Sequence, residues 1–327
     1  MLVAVGLFAV SAKVVDADGP ATVRLKSGKS EPVSIGKSYN TGDSIRTGKN
    51  GLVELSQEGL TIRVGPSTVF TLLEKELGGK PKGVLAVTLG SVKVKYDRLT
   101  GSEPLIQSVG CIAGVRGTEL TVWAGTDGAS QFIVDSGLVS VEAFGKTVEL
   151  GPDESVVVLN GEQPGDKFTV HRDQIDHSKW DAGRVEALLA DPLVALAGMR
   201  ERLAYYAANI SEYSTRYRDV NSRLKAERER AVKVGEEKGS DAVKEYEREF
   251  VTPLVLENAS LVLNYRYFGL AALSMRRFVG SRMYLMLKVK FAATPEDLVW
   301  TLFAEQFAAF VAEFEKTIMP VLVDADF

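Results

Sequence analysis

The amino-acid sequence predicts an all-β N-terminal domain followed by an α-helical C-terminal domain. From Lys13 to Gly161, short runs alternate apolar and polar residues with a period of two, as strands with one buried face do. After residue 180 the apolar residues recur at intervals of three and four, as in amphipathic helices. A polar, turn-rich segment separates the two patterns, so we expect a domain boundary near residue 170 of the 327 residues.

Four segments follow from these patterns: a leader at 1–12, a β-domain at 13–162, a linker at 163–180 and a helical domain at 181–327. The β-domain holds about nine or more strands at intervals of about ten residues, without helical runs between them. That order excludes a βαβ architecture and leaves a sandwich or a solenoid of short strands. A long helical hairpin or bundle is predicted for the C-terminal domain.

Composition and charge exclude one class of partner. The chain is 45% hydrophobic and 25% charged, as expected for a globular protein. Its 39 basic and 43 acidic residues give a net charge of −4. Binding of nucleic acid needs a basic excess, so nucleic acid is not an expected partner.

The leader, MLVAVGLFAVSA, is continuously apolar and ends in small residues. It resembles the apolar region and cleavage site of a secretory signal, which predicts a cut after Ala12 and export to the periplasm or beyond. At twelve residues it is shorter than the roughly 20 that cross a bilayer, and no later segment reads as a membrane span. The alternative is that these residues form a buried first strand.

The order of the β-runs resembles that of a FecR domain over most of residues 13–162. The matching runs are GDSIRTG at 42–48, GLVEL at 51–55, LTIRVGPST at 60–68, GSVKV at 90–94, VRGTE at 115–119, VDSGLVSV at 134–141 and LGP at 150–152. The residues that we single out in these motifs are Arg46, Gly48, Gly114, Arg116, Gly117, Thr118, Glu119 and Gly137.

The resemblance implies an exported β-domain on the far side of the cytoplasmic membrane. The founding members of the family pass a surface signal through the membrane to a sigma factor. This sequence departs from their layout, since we recognise neither the cytoplasmic sigma-binding segment nor a central membrane span. A FecR-like module in a periplasmic or surface protein is therefore the expectation.

Arg116 lies between Gly114 and Gly117 and is followed closely by Glu119. The favoured interpretation is a partly buried Arg116–Glu119 pair that fixes the geometry of the β-layers. A ligand-binding arginine is the alternative. A ligand pocket in this domain would also need aromatic side chains, for which Trp123, Tyr96 and Phe132 are the candidates, although each is also a candidate for the core.

The first long helix is predicted from its cap and its seam. Asp191 and Pro192 read as an N-cap followed by proline at the first helical position. From there to about Val234, one apolar seam recurs every seven residues at Leu196, Leu203, Ile210, Tyr217, Leu224 and Ala231. The companion positions are only partly apolar, which favours a hairpin or bundle edge over a free coiled coil. Residues 235–239 are predicted to end this helix, and the mixed charges of 216–244 predict a solvated tip or a docking surface.

A second helical stretch is predicted from Asp241 to about Lys290, with a kink at Pro253. Thr294 and Pro295 predict the start of a last helix, which should end before Pro320. An aromatic stripe runs along it at Trp300, Phe303, Phe307, Phe310 and Phe314. We expect that stripe to be core, with an exposed groove for a partner as the alternative.

The sequence offers little catalytic chemistry. It contains no Gly-x-Ser-x-Gly, P-loop, His-Glu-x-x-His or dinucleotide fingerprint. Cys111 is the single cysteine and is expected to be a small core residue. His171 and His177 lie six residues apart, which does not match a helical zinc site, so both are expected to be exposed linker residues. We therefore expect no metal, no cofactor and no enzymatic activity.

These features predict a non-enzymatic extracytoplasmic protein whose FecR-like β-domain is a binding or assembly module. The helical domain would dock onto a protein or cell-envelope component, or form homo-oligomers. The alternative is an envelope sensor that binds a small ligand or a glycan through the β-domain, with Arg116 and Trp123 as candidate ligand contacts.

Overall fold

The computed structural model describes residues 11–57, 59–77, 80–97, 103–170 and 175–325. The side chains of residues 74–81, 116, 118, 259, 260, 263 and 267 are not described. Most of the predicted leader, residues 1–10, and His171 lie outside the described residues.

The N-terminal region is β-rich, as predicted. Its strands are β1 (Ser11–Asp18), β2 (Ala21–Arg24), β3 (Ser30–Pro32), β4 (Ser38–Asn40), β5 (Ser44–Thr47), β6 (Leu52–Gln57), β7 (Leu60–Val64), β8 (Val69–Leu77), β9 (Lys80–Tyr96), β10 (Leu105–Ser108), β11 (Cys111–Ala124), β12 (Ser130–Ala143), β13 (Lys146–Leu150), β14 (Glu154–Val158) and β15 (Phe168–Thr169).

Three long strands, β9, β11 and β12, organise the pairing. Through one half of their lengths they belong to a row ordered β15-β14-β12-β11-β9-β7-β6-β1-β4. Through the other half they belong to a row ordered β3-β2-β5-β8-β9-β10-β11-β12-β13. Because both rows share these strands, all fifteen form one hydrogen-bonded network, which follows neither the solenoid nor the sandwich pattern in a simple form.

The strands bury one face, which confirms the alternating pattern. Val92, Val94, Leu120, Val122 and Phe132 are in a continuous apolar core. Residues next to them along each strand point to the opposite side, which we call the outer face. Cys111 is fully buried in this core, as predicted, and burial raises the pKa of its thiol to about 12. It is therefore a packed thiol rather than a thiolate at neutral pH.

Gly90 permits the change of partners in the middle of β9. Its φ is +91°, in the left-handed region, and a Cβ built there would lie 2.2 Å from Thr68 Oγ1. The Thr68 hydroxyl oxygen accepts a hydrogen bond from the Ser91 backbone N–H at 2.9 Å. A side chain at position 90 would therefore meet both backbone strain and a close neighbour.

The C-terminal region is helical, as predicted. Its helices are α1 (His177–Ala190), α2 (Pro192–Lys238), α3 (Ser240–Tyr246), α4 (Thr252–Phe278), α5 (Tyr284–Lys290) and α6 (Leu298–Asp324), with π-helical turns at Glu247–Val251 and Val279–Met283. Thus β15 lies within the segment predicted as a linker, and α1 begins in that segment. None of the described helices is both long enough and apolar enough to cross a membrane.

The start of α2 is confirmed, and its end lies later than predicted. The Asp191 carboxylate accepts a hydrogen bond from the Val194 backbone N–H at 3.2 Å, so Asp191 is the N-cap. The helix continues through Gly235 and ends at Lys238, before Gly239 with φ +83°. Glycine at that position costs little in a left-handed conformation, so Gly239 is the point where the chain turns.

Two predictions for α6 are wrong. The helix begins at Leu298 because the Asp297 carboxylate caps it, accepting from the Val299 N–H at 2.8 Å, while Thr294 and Asp297 form the turn before it. It also continues through Pro320 to Asp324. Ile318 and Leu322 extend the buried face across the proline, and this packing outweighs the lost backbone hydrogen bond.

The seam of α2 and the aromatic stripe of α6 share one core, which confirms the core interpretation of the stripe. Leu196, Leu203 and Ile210 are fully buried there with Phe303 and Phe314. Beyond them, α2 and α4 run antiparallel, since Tyr213 meets Phe268 and Tyr217, further along α2, meets Tyr265. The π-helical turn at Glu247–Val251 lies directly before α4, whose first turn contains Pro253.

We predict that Gly90→Ala lowers the free energy of unfolding by about 3 kcal/mol or more, because it combines positive-φ strain with overpacking against Thr68. Gly28→Ala is the matched control. Gly28 has φ +88° but open space around its missing Cβ, so only the conformational cost of about 1 kcal/mol is expected. Urea unfolding measures both; equal losses would contradict the close packing at Gly90.

Candidate binding groove between the sheet and the first helix

A groove crosses the outer face of the sheet at one end of the long strands. Its floor is a row of residues on four adjacent strands, in which Ser91 is paired with Trp123, Trp123 with Gln131, and Gln131 with Val157. Neighbouring strands lie about 4.8 Å apart, so three steps give a floor about 14 Å wide. The floor therefore runs across the strands rather than along them.

The connecting segment builds the wall of the groove. β15 pairs with β14 at the side of the floor, and Ile175 and the first turn of α1 then line the groove from above. The volume of this open groove is about 1160 Å³. Phe168 on β15 is 44% exposed, which is unusual for a phenylalanine that lines a concave surface.

Three aromatic rings meet where α1 reaches the sheet. Trp123 is only 4% exposed, because His177 and Trp180 pack on it with ring centroids 5.8 and 5.6 Å away. A ring nitrogen of His177 lies 3.3 Å from the Ala124 carbonyl oxygen. Burial lowers the pKa of His177, while the contact with the Ala124 carbonyl and the charge of Asp181 oppose this effect.

The expectation that His177 is an exposed linker residue is wrong. His177 is the first residue of α1 and packs on Trp123. The reason is that the connecting segment folds back over the sheet, a long-range contact to which local polarity gives no clue. His171 lies outside the described residues.

The turn between β11 and β12 is fixed to α1 by two side chains. Thr126 donates from its backbone N–H and its hydroxyl to the Asp181 carboxylate, at 2.8 and 3.0 Å. Arg184 donates to the carboxylate of Asp127, with 2.9 Å from Nε to Oδ2 and a second contact from Nη2. The Asp127 side chain is only 5% exposed and also accepts from the Ala129 N–H at 3.1 Å. A carboxylate so buried depends on its partners.

Asn160 ties the same turn to two further helices. Its side-chain amide donates to the Asp127 carbonyl at 3.1 Å and to the Ala271 carbonyl of α4 at 3.3 Å. Its own carbonyl accepts from Arg202 of α2 at 3.2 Å. Tyr206 packs beside it, and burial raises the pKa of the Tyr206 hydroxyl to about 12. The β11–β12 turn is thus held by α1, α2 and α4.

Of the three aromatic residues proposed as ligand contacts, Trp123 alone lines the groove. Phe132 is fully buried in the β-core. Tyr96 is the last residue of β9, beyond Ser91, and donates its hydroxyl to the Pro104 carbonyl at 3.2 Å; burial raises its pKa. The other residues that line the groove are Pro66, Ser91, Gln131, Val157, Phe168, Thr169, Val170, Ile175, Asp176, His177, Ser178, Lys179 and Trp180.

The FecR-like motif residues are spread over the fold and do not gather at the groove. Gly117 (φ +67°) and Gly137 (φ +80°) interrupt the register of β11 and β12 at the same level. Gly114 pairs with Ser140 in the same ladder, and the backbone of Arg116 pairs with Leu138. The side chains of Arg116 and Thr118 are not described, so the Arg116–Glu119 pair stays a prediction.

The remaining motif residues have structural surroundings. Glu119 forms an ion pair with Lys93 at 2.7 Å, and Lys93 lies 3.3 Å from Asp135 on the outer face. Arg46 pairs with Thr22 and Val69 in the sheet. The Gly48 N–H donates to the Pro20 carbonyl at 2.7 Å.

Sequence reasoning missed Trp180, Gln131 and the Asp127–Arg184 pair. Trp180 carried the one available signal, since a tryptophan in a polar connecting segment is expected to pack on something. The other three lie in segments that read as ordinary strand, turn and helix, and only the tertiary fold joins them. Among the described residues, no cluster of three or more histidine, cysteine, aspartate or glutamate side chains could hold a metal ion.

Comparison with known proteins gives a weak likeness. No family model matches the sequence, and no curated protein matches it. Two crystal structures of a putative anti-sigma factor from Parabacteroides distasonis are similar to it at 17% identity. They have TM-scores of 0.33 and 0.34 and cover 38% and 42% of this chain. The matched part spans 59% and 63% of those chains, less than two thirds of their length.

We predict that Asp127→Asn lowers the free energy of unfolding by about 2–4 kcal/mol, because it removes the charge that Arg184 meets in a buried setting. Asp241→Asn is the matched control, since that carboxylate is 93% exposed and pairs with Lys244 on the surface. A change below about 0.5 kcal/mol is expected for the control. A loss of similar size in both variants, measured by urea unfolding, would contradict the role given to Asp127.

We predict that stability falls with pH below about 6.5 partly through His177, whose pKa is lowered by burial. The unfolded chain takes up the proton first as the pH falls, so the contribution of His177 is complete above its ordinary pKa and is lost below it. His177→Gln should flatten the loss between about pH 6.5 and 5 relative to the parent protein. Thermal unfolding across this pH range measures the slope; identical slopes in the two proteins would refute the assignment.

Proposed function

We propose that this protein is a non-enzymatic, exported binding or assembly protein that presents its groove to a component of the cell envelope. The observation that carries the proposal is that the sheet and α1 build the groove together and that the buried Asp127–Arg184 pair fixes their arrangement. A concave site held in this way is preorganised for binding. The lining offers apolar, hydroxyl and amide groups, which suit recognition.

The finer fold hypothesis is part of this proposal. Two rows of strands that share β9, β11 and β12 favour the sandwich-like form of a FecR-type domain over the solenoid form. The motif order in the sequence supports the same family. On this hypothesis the β-region is the interaction module.

The apolar leader supports export. The fold does not favour the predicted cut after Ala12. Ser11 and Ala12 pair with Asn40 and Tyr39 in β1, and Ala12 is fully buried. A cut after Ala12 would remove both residues from the strand. The packing thus supports the alternative that Ala12 belongs to the first strand. Mass spectrometry of the N-terminus of the protein from its envelope fraction decides between them.

The docking role of the helical region is supported by exposed apolar side chains near the turn between α5 and α6. Leu285, Val289 and Leu298 are 51%, 77% and 70% exposed. Size-exclusion chromatography with light scattering on the full chain, at about 1–100 µM, tests self-association. A dimer that Val289→Glu dissociates is expected if this surface joins two copies. A monomer throughout that range would reject homo-oligomerisation and leave docking to a different protein.

Photo-crosslinking tests the binding function itself. A photoreactive amino acid at Ser178, exposed at the groove, should form a cross-link to an envelope component in intact cells. The same group at Glu201, exposed on α2 away from the groove lining, should not give that product. If neither position, or both positions equally, cross-linked to the envelope, the groove would not be the binding surface.

A ligand sensor is the second candidate function, and the exposed Phe168 favours it. An assembly surface buries its apolar groups in a permanent partner, whereas a sensor leaves its site open to solvent until the ligand arrives. Phe168 lies in an open groove of about 1160 Å³, above the usual range of about 300–1000 Å³ for small-molecule sites. An elongated ligand fits that size better than a compact one.

A further inference from the structure

We propose that the groove binds a neutral oligosaccharide that lies across the strands, with Phe168 as a stacking surface and Gln131 as the polar contact on the floor. This inference rests on the proposed binding function and names the chemical class of its ligand. It follows from the charge, the geometry and the exposed aromatic group of the groove.

The charge of the lining favours a neutral ligand. The charged residues among those that line the groove are Asp176 and Lys179, whose side chains form an ion pair at 3.5 Å. The Asp176 carboxylate also accepts the Lys179 backbone N–H and caps α1. Burial lowers the pKa of His177, so its imidazole is neutral at physiological pH. The remaining lining residues carry apolar, hydroxyl or amide groups, so neither an anion nor a cation meets an uncompensated partner.

The pairing of the floor strands disfavours recognition of an extended peptide by strand addition on the floor. That mode needs a free strand edge whose N–H and C=O groups are unpaired. The floor residues Ser91, Trp123 and Gln131 lie in strands that are paired with their neighbours, so their backbone groups already form the ladder. A ligand on this face is read by side chains instead. Hydroxyl-rich ligands are suited to such contacts because each hydroxyl both donates and accepts.

Gln131 is placed for such a contact. It is only 5% exposed, lines the floor, and donates from its amide nitrogen to the Ser155 hydroxyl at 2.9 Å. That hydrogen bond fixes the plane of the amide and aligns its other polar atoms. A polar group that is buried and oriented in this way discriminates between ligands that hydrogen-bond to it and those that do not.

Phe168 supplies the apolar surface. The ring is 44% exposed on β15, whereas the large aromatic side chains of the β-core, such as Phe70 and Phe132, are fully buried. The negative face of an aromatic ring attracts C–H groups that carry partial positive charge, which the apolar face of a sugar ring presents. Trp123 is covered by His177 and Trp180, so Phe168 is the most exposed aromatic ring that lines the groove.

Isothermal titration calorimetry on the full-length protein tests this inference. The probes are unbranched neutral oligosaccharides of two to four sugar units, from a glucose series and an N-acetylglucosamine series. An acidic oligogalacturonate and a neutral Gly-Ser-Thr peptide serve as ligand controls. We expect one neutral series to bind, with affinity that rises with length until the floor is filled. We expect Phe168→Ala to weaken that binding about tenfold or more.

Phe250→Ala is the matched protein control. Phe250 is also 44% exposed but lies in the π-helical turn before α4, outside the groove lining, so its removal should leave sugar binding unchanged. Because Phe168 is 44% exposed and lies outside the apolar core of the sheet, its loss should not unfold the protein, and the circular dichroism spectra of both variants should match the parent.

Three results would overturn the inference. The first is that neither neutral series gives heat of binding at concentrations up to about 10 mM. The second is that the acidic sugar or the peptide binds more tightly than the neutral sugars. The third is that the Phe168 and Phe250 variants bind the neutral sugar with equal affinity. The cross-linking experiment separates this failure from that of the proposed function. A cross-link from Ser178 to an envelope protein together with no sugar binding would retain the groove as a binding surface and reject the oligosaccharide.

Discussion

The buried carboxylate of Asp127 is the constraint on which the arrangement of the two regions depends. A charge that is 5% exposed is stable only with a close opposite charge and hydrogen-bond donors, and Arg184 and the Ala129 N–H supply them. Asn160 extends the joint to α4 through the Ala271 carbonyl. Pulling α1 away from the sheet would break the Asp127–Arg184 and Thr126–Asp181 contacts together, so the separated state is costly. The contact between the sheet and α1 is therefore a fixed joint, although the sequence between the two regions is polar and rich in turn residues.

The groove depends on that joint and on the pairing of the three long strands, β9, β11 and β12. β9, β11 and β12 share one row on the side where Ser91, Trp123 and Gln131 line up, and their opposite faces fill the core. Gly90, with a positive φ, allows β9 to leave that row and join the other. Without α1, the outer face around Trp123 would be open to solvent. Covering only the end produces a concave site rather than a closed interior.

The regular patterns of the sequence predicted the strands and helices, but they did not predict the contacts that join α1 to the sheet. The seven-residue seam through Leu196 and Leu203 and the alternation in β7 are local periodicities, and each fixes which face is buried. The helix boundary at Asp297 was missed because Thr294 and Pro295 form a cap-like pattern three residues earlier, and the choice depends on packing. Asp127, Arg184 and Gln131 have no unusual neighbours in sequence. Their roles arise from contacts across as many as 57 residues, which spacing does not encode.

Placing the groove at the joint has a thermodynamic consequence. One face of α1 both lines the groove and holds the β11–β12 turn. Trp180 and His177 line the groove. Arg184 and Asp181 each lie four residues further along the helix and bind the turn. A ligand that binds only when the first turn of α1 rests on Trp123 must also stabilise the contacts of the second turn. By reciprocity, the free energy by which the ligand stabilises the joint equals the free energy by which ligand binding weakens when the joint is broken. Because α2 packs on α1, the helical region would be linked in the same way to the occupancy of the proposed site. A binding module needs such a linkage if a partner at the helices is to respond to what the groove contains.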